Sequence, residues 1–263
     1  MPDCELICGD CMEVLRGLQS DTVHLTVTSP PYNIGKEYEA SRPLCDYIGW
    51  CRQWLHEIFR VTSPSGSLWL NLGYIDVEEK GRAVPLPYLL WDQSPFFMLQ
   101  EIVWHYGAGV ASRRAFSPRN EKWIWFVKDP NRYVFDLDAV RDPNVKYPKQ
   151  KKNGKLKCNP LGKNPGDVWI IPKVTSGNGR ASPERTAHPA QFPLAVVSRI
   201  IRAASNPGDL VLDPFAGSGS TLVASLHHKR RCIGVEIRPE YCAIAERRIR
   251  AAKARHEEMA LFD

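Results

Sequence analysis

Short apolar runs alternate along this chain with longer segments whose apolar positions recur every three or four residues. That alternation predicts an α/β fold in which a mostly parallel, doubly wound sheet is covered by helices. "ELIC" and "VHLTVT" read as buried strands, with the helical turn "CMEVLRGL" between them. "CDYIGWCRQWLHEIFRV" has helical spacing that puts Trp50, Trp54, Ile58 and Val61 on one face, and "SGSLWLNLG" returns as a strand. "QEIVWHYG" and "EKWIWFVK" read as further strands, with Trp104, Trp123 and Trp125 as sheet-core residues and not cofactor contacts. The last third reads as the helix "HPAQFPLAVVSRIIRAAS", then strand, glycine turn and helix in "DLVLDPFAGSGSTLVASLHH". The strand "RRCIGVEI" and the helix "PEYCAIAERRIRAAKARHE" close it.

Between Arg141 and Arg185 the periodicity disappears. Lysine, asparagine, proline and glycine dominate there, and "GDVWIIP" is the one segment that reads as a strand. The chain therefore divides into a first half at 1–140, a basic insertion at 141–185, and a second half of the same domain at 186–263. From Arg141 to Pro165, Asp142 is the only acid among eight lysines and arginines, in a chain whose net charge is +6. Such a run suits a polyanion, since each lysine near a phosphate releases a condensed counterion; a solvated surface loop is the plainer reading.

Composition narrows the class further. With 263 residues, 43% apolar and 24% charged, the chain has enough material for a real core. No apolar run reaches the ~20 residues a bilayer crossing needs, and the N-terminal segment lacks a signal-peptide layout, so a cytoplasmic, nucleoid-associated protein is expected. The eight cysteines are then free thiols; Cys8-x-x-Cys11 with Cys45 and Cys51 fits a zinc site poorly, and no metal is expected.

"DPFAGSGST" follows an apolar strand and opens a helix, which puts it in the crevice where open α/β sheets bind ligands. Gly217 and Gly219 allow a tight turn and a close backbone approach. Glu236, at the end of the next strand, suits two ribose hydroxyls. The loop is not that of a dinucleotide site, because Leu222 stands where a third glycine belongs. No Gly-Lys-Ser/Thr of a P-loop occurs. Asp213 would repel a pyrophosphate but suits a ligand bearing an ammonium and a sulfonium, which points to S-adenosyl-L-methionine.

"TSPPYN" at 28–33 together with "DPFAGSGST" at 213–221 resembles the amino-methylating (cytosine-N4 and adenine-N6) DNA methyltransferases of the β-group. The catalytic segment precedes the cofactor loop there, as it does here. The likeness extends to "ICGD", "HPAQFP" and "GVEI", nearly the whole chain. It implies that Asp213, Phe215, Ala216, Gly217 and Gly219 surround the methionine half of the cofactor, that Glu236 holds the ribose, and that Asp10 accepts from the adenine amino group. His188 is expected to cap or pack rather than to touch the cofactor.

The resemblance also gives the two prolines a purpose. A base must leave the duplex before its amino group can be reached. Tyr32 offers a face for the flipped ring, while the Ser29 hydroxyl and the Pro30 carbonyl accept from the amino group. Pro30 and Pro31 fix the backbone that aims those acceptors, and Asn33 orders the turn. Serine at position 29 is more usual for cytosine-N4 enzymes, so cytosine is the expected target and adenine the alternative. RNA methylation, or a DNA-binding module without catalysis, are further readings.

Duplex DNA is expected to meet the basic insertion and the 110–122 segment, through Arg113, Arg114, Lys149, Lys151, Lys152, Lys155, Arg180 and Arg185. The family's commonest setting implies a cognate restriction endonuclease acting on the same site. "EMALFD" at 258–263 resembles tails that dock on the replication sliding clamp; packing of Leu261 and Phe262 on the domain is the favoured reading.

Overall fold

The structure is a computed structural model that describes residues 3–37, 39–107, 109, 111–175 and 181–260, the side chains of 256–260 excepted. Strands β1 (Cys4–Cys8), β2 (Val23–Thr28) and β3 (Thr62–Leu72) are separated by helices α1 (Cys11–Gly17) and α2 (Leu44–Val61). A hairpin of β4 (Tyr74–Val77) and β5 (Gly81–Pro85), then the short α3 (Pro87–Leu90), lead to β6 (Phe97–His105) and β7 (Asn120–Val127). After the small strands β8 (Lys151–Lys152) and β9 (Lys155–Leu156) come β10 (Val168–Ile170) and α4 (Leu194–Ala204). The chain then runs through β11 (Leu210–Asp213), α5 (Ser220–His227), β12 (Arg231–Glu236) and α6 (Pro239–Ala260).

Eight of these strands form one sheet in the order β1-β12-β11-β2-β3-β7-β6-β10. β3–β7 and β7–β6 are antiparallel and the other pairings are parallel. The mostly parallel α/β fold expected from the alternation is thus present, with an antiparallel return on one side.

Period-two alternation assigns the sheet's two faces. Leu68, Leu70 and Leu72 of β3, with Ile124 and Phe126 of β7, pack under α1, α2 and α3. Trp69, Trp123, Trp125 and Val127 point the other way, into a core with α4, α5 and α6. α2 buries Tyr47, Cys51, Trp54, Leu55, Ile58 and Val61, the stripe its sequence announces, while Trp50 is half-buried. α4 begins only at Leu194: Pro189 and Pro193 precede it, and a proline forces the residue before it out of the helical region.

The basic insertion has structure of its own. Asn153 and Gly154 take positive φ of 52° and 77°, the two-residue turn that the twist of a β-hairpin demands, and join β8 to β9. A neck closes the excursion: Asp142 and Lys163 exchange backbone hydrogen bonds of 2.9 and 3.0 Å and form an ion pair at 3.2 Å. β10 then rejoins the main sheet beside β6.

Candidate active site at the carboxyl ends of the strands

The parallel strands β1, β12, β11 and β2 end on one rim, and the loops after them surround a cavity of about 880 Å3. Strand register brings distant parts of the sequence together there. Cys8 lies opposite Glu236, and the Gly9 amide donates to the Glu236 carbonyl at 2.9 Å, so Asp10 and Glu236 line one wall. On the other side β11 pairs with β2, which sets the glycine turn beside the Ser29-Pro30-Pro31-Tyr32 turn.

The glycine turn is built to leave space. Gly217 has φ of 52°, and a Cβ there would come within 2.8 Å of His188 Nε2. Gly219 has φ of 76° and opens α5, with its missing Cβ 2.9 Å from Ala245 of α6. From behind, Arg248 donates to the Ser218 carbonyl at 2.7 Å and to both the Ser218 and Ser220 hydroxyls at 3.0 Å. The Phe215 ring is wedged edge-on between Trp50 and Trp54 of α2. Glu236 accepts from the Gly217 and Arg238 amides, each at 2.9 Å, so the strand-end acid also fixes the turn.

Asp213 is 2% exposed. Its carboxylate accepts from the Thr28 hydroxyl at 2.7 Å and the Phe215 amide at 3.2 Å, and burial pushes its pKa up to about 6. The hydrogen bond from Thr28 ties the end of β2 directly to the end of β11. Asp10 caps α1, one oxygen accepting from Met12 and Glu13 amides at 2.8 and 3.2 Å. His188 packs edge-on against Tyr241 at 4.3 Å, accepts from the Ala190 amide through Nδ1, and is held neutral by burial, with its pKa lowered to about 4. It therefore packs as expected, while also forming part of the cavity wall beside Gly217.

In the proline turn, the Ser29 hydroxyl donates to the Tyr32 hydroxyl at 3.1 Å, which donates to Asn71 Oδ1 at 2.7 Å. Gly73 admits the Tyr32 ring, since a Cβ there would sit 2.7 Å from it. Tyr47 donates to the Pro31 carbonyl at 2.8 Å. Asn33, at φ of 61°, exchanges two hydrogen bonds with the Arg42 backbone and folds the 33–42 loop back.

Several lining residues escaped sequence reasoning: Asn71, Tyr106, Glu121, Lys173 and the face of Trp104, read above as core alone. The available signals were a polar residue inside "LWLNLG" and an acid opening "EKWIWFVK".

The basic residues divide by place. Arg113 and Arg114 are exposed on the loop between β6 and β7, and Lys149, Lys151, Lys152 and Lys155 are exposed on or beside the β8–β9 hairpin. Arg185 instead belongs to the cavity wall. Arg180 lies outside the described residues, as do Leu261, Phe262 and the side chains before them in the C-terminal tail. Among the described residues no helix is long and apolar enough to cross a membrane, and no group of three or more histidine, cysteine, aspartate or glutamate side chains could hold a metal ion.

This geometry has relatives. Residues 23–247 match the N6/N4 family described as DNA methylase. The chain is 60% identical over 243 residues to the Type II methyltransferase M.ScaI of Streptomyces caespitosus, covering 92% of this chain and 80% of that one. Its fold superposes on the cytosine-N4-specific PvuII DNA methyltransferase with a TM-score of 0.71 at 21% identity, over 94% of this chain and 88% of that one. TTHA0409 of Thermus thermophilus, a putative DNA modification methylase solved with S-adenosyl-L-methionine, gives 0.66 at 26% identity, covering 94% and 93%. The chain belongs to the N6/N4 DNA methylase family, and it is a site-specific DNA methyltransferase.

Proposed function

We propose that this protein transfers a methyl group from S-adenosyl-L-methionine to the exocyclic N4 of a cytosine flipped out of duplex DNA. The carrying observation is the meeting of two turns in one cavity, with Thr28 and Asp213 hydrogen-bonded between them.

The chain's residues fit the cofactor. Asp213 is a buried carboxylate whose described partners are the Thr28 and Thr221 hydroxyls and the Phe215 amide, all neutral, and an ammonium placed beside it would relieve the cost of its burial. Gly217, Ala216 and Phe215 form a cradle around the methionine half. Glu236 keeps acceptor capacity for ribose hydroxyls beyond its backbone partners at Gly217, Ile237 and Arg238, and Asp10 keeps a second oxygen for the adenine amino group. When bound, the cofactor supplies an electrophilic methyl group on a sulfonium.

Ser29, Pro30 and Tyr32 prepare the nucleophile. An exocyclic amino lone pair is delocalised into its ring and attacks poorly. Tyr32 stacks on the ring, and the Ser29 hydroxyl and Pro30 carbonyl each accept one N–H, drawing the nitrogen toward tetrahedral geometry. Pro30 and Pro31 hold those acceptors in place before the base arrives, so no reorganisation is needed during the reaction. Serine is too weak a base to take the surplus proton, which leaves through water.

Segment 141–185 serves as the target-recognition region, its neck at Asp142–Lys163 presenting the β8–β9 hairpin to the duplex. A restriction endonuclease cutting the same site is the expected partner, as the Type II designation of the Streptomyces relative suggests.

Product identity tests the proposal. The protein is incubated with S-adenosyl-L-methionine and mixed-sequence duplex DNA, and the digested nucleosides are separated by mass. N4-methylcytosine is expected; N6-methyladenine would keep the mechanism and overturn the base, and product only on RNA would overturn the substrate class.

A further inference from the structure

We infer that Glu121 and Lys173 read the ring edge of the flipped cytosine, the Glu121 carboxyl donating to ring nitrogen N3 and the Lys173 ammonium donating to the O2 carbonyl. The inference rests on the cytosine reading above and deepens it.

Placement is the first ground. Glu121 is the second residue of β7, opposite Trp104 of β6, and Lys173 follows β10; all three line the cavity that holds the proline turn. The Glu121 carboxyl is in hydrogen-bonding contact with the Asn71 and Tyr32 side chains. Tyr32 is in turn bonded to Ser29 at 3.1 Å and to Asn71 at 2.7 Å. Glu121 is therefore one side chain away from the acceptor assigned to the amino group. Asn71 is fixed by donating to the Lys122 carbonyl at 3.1 Å, so it anchors one side of the Glu121 carboxyl and leaves hydrogen-bonding capacity for a ligand.

Chemistry supplies the second ground. Along its Watson–Crick edge cytosine offers the amino donor, then the N3 acceptor, then the O2 acceptor. The matching protein sequence is acceptor, donor, donor: Ser29 with Pro30, then Glu121, then Lys173. Adenine offers a donor and the N1 acceptor but then a C–H, against which an ammonium has nothing to bond. Lys173 is thus the discriminating member, and Glu121 serves the acceptor that both bases share.

A carboxyl group donates only while protonated. Burial raises the Glu121 pKa, while Asn71, Lys173 and Tyr32 pull it down. Tyr106, which also faces Glu121, is itself pushed up to about 12 and so stays neutral. The Lys173 ammonium lies 5.4 Å from the Tyr106 ring centroid, a cation–π seat that holds it at the rim.

The test uses duplexes whose target position, located by sequencing DNA methylated with this protein, carries cytosine, 3-deazacytosine or adenine. On cytosine, Glu121→Ala should lower kcat/KM by about a hundredfold, and Glu121→Gln, which keeps an N–H donor, should recover most of that loss. On 3-deazacytosine, where a C–H replaces N3, wild type and Glu121→Ala should converge. Lys173→Met should narrow the preference for cytosine over adenine by about tenfold or more. Cofactor affinity measured by calorimetry should stay unchanged in each variant, reporting an intact fold. Equal losses for Glu121→Ala on cytosine and on 3-deazacytosine would overturn the inference, as would an unaltered base preference in Lys173→Met. N6-methyladenine from the wild type overturns the cytosine reading itself, and product mass shows that before any variant is made.

Discussion

Asp213 and His188 both line the cavity, one before the glycine turn and one packed beside Gly217, with opposite protonation preferences. Burial raises Asp213 from 3.8 to about 6, so the folded chain holds more protons than the unfolded chain between those values, and stability falls as pH rises through that window. His188 moves from 6.5 down to about 4; here the unfolded chain holds more protons, and stability rises with pH between about 4 and 6.5. The two slopes oppose one another. Asp213→Asn should make the slope of Tm against pH between about 4 and 6 more positive than in the wild type, the raised Glu121 and Glu236 still opposing the histidine, and should stabilise the cofactor-free protein at pH 7 by roughly 3 kcal/mol. Thermal melts across that range check both statements. On the proposed placement of the cofactor, the same substitution should weaken its binding, since the ammonium would lose its carboxylate. Gly217→Ala forces a side chain into positive φ and against His188. Strain of about 1–3 kcal/mol should appear as a weaker cofactor Kd in calorimetry. In the proposed mechanism, Ser29→Ala removes one of two acceptors aimed at the amino group. It should lower the single-turnover rate of methyl transfer by about a hundredfold while leaving cofactor affinity near wild type.

At the scale of elements, the β8–β9 hairpin should act through charge. Replacing Lys151, Lys152 and Lys155 together by glutamine should flatten the plot of log binding constant against log salt by up to about 3, with cofactor affinity unaltered. A slope unchanged on titration of duplex DNA would mean these lysines sit in solvent. This scale also shows what the sequence discloses. α2 and the strand–turn–helix at 209–228 are legible because one periodicity fills each of them and a turn residue ends it. The hairpin at 74–85 is not, because its strands are short, half-exposed and joined by Glu79 at positive φ where a glycine would have been a signal. The antiparallel return of β7 and β6 is equally silent, since buried strands carry the same apolar run in either direction. In the site, the two turns announce themselves as contiguous motifs. Asn71, Glu121 and Lys173 are single polar residues from three strand ends, and only the sheet order makes them neighbours.

For the whole molecule the sheet order is the governing fact. β12 and β11, from the last quarter of the chain, sit between β1 and β2 from its start. A chain opened between Asn153 and Gly154, at the exposed turn of the small hairpin, gives two pieces that cannot each complete the sheet. The first carries β1, β2, β3, β7 and β6 but leaves edges open around a gap and along β6; the second holds β11 and β12 with nothing on either flank, and β10 without its partner β6. Neither piece alone should bind S-adenosyl-L-methionine, and co-purified pieces should regain it, as calorimetry would show. Fused to two other proteins, such pieces would write a methyl mark on nearby DNA only where those proteins had met. The interleaved strands thus make this enzyme a natural recorder of molecular encounters, its record stored in the genome after the encounter has ended.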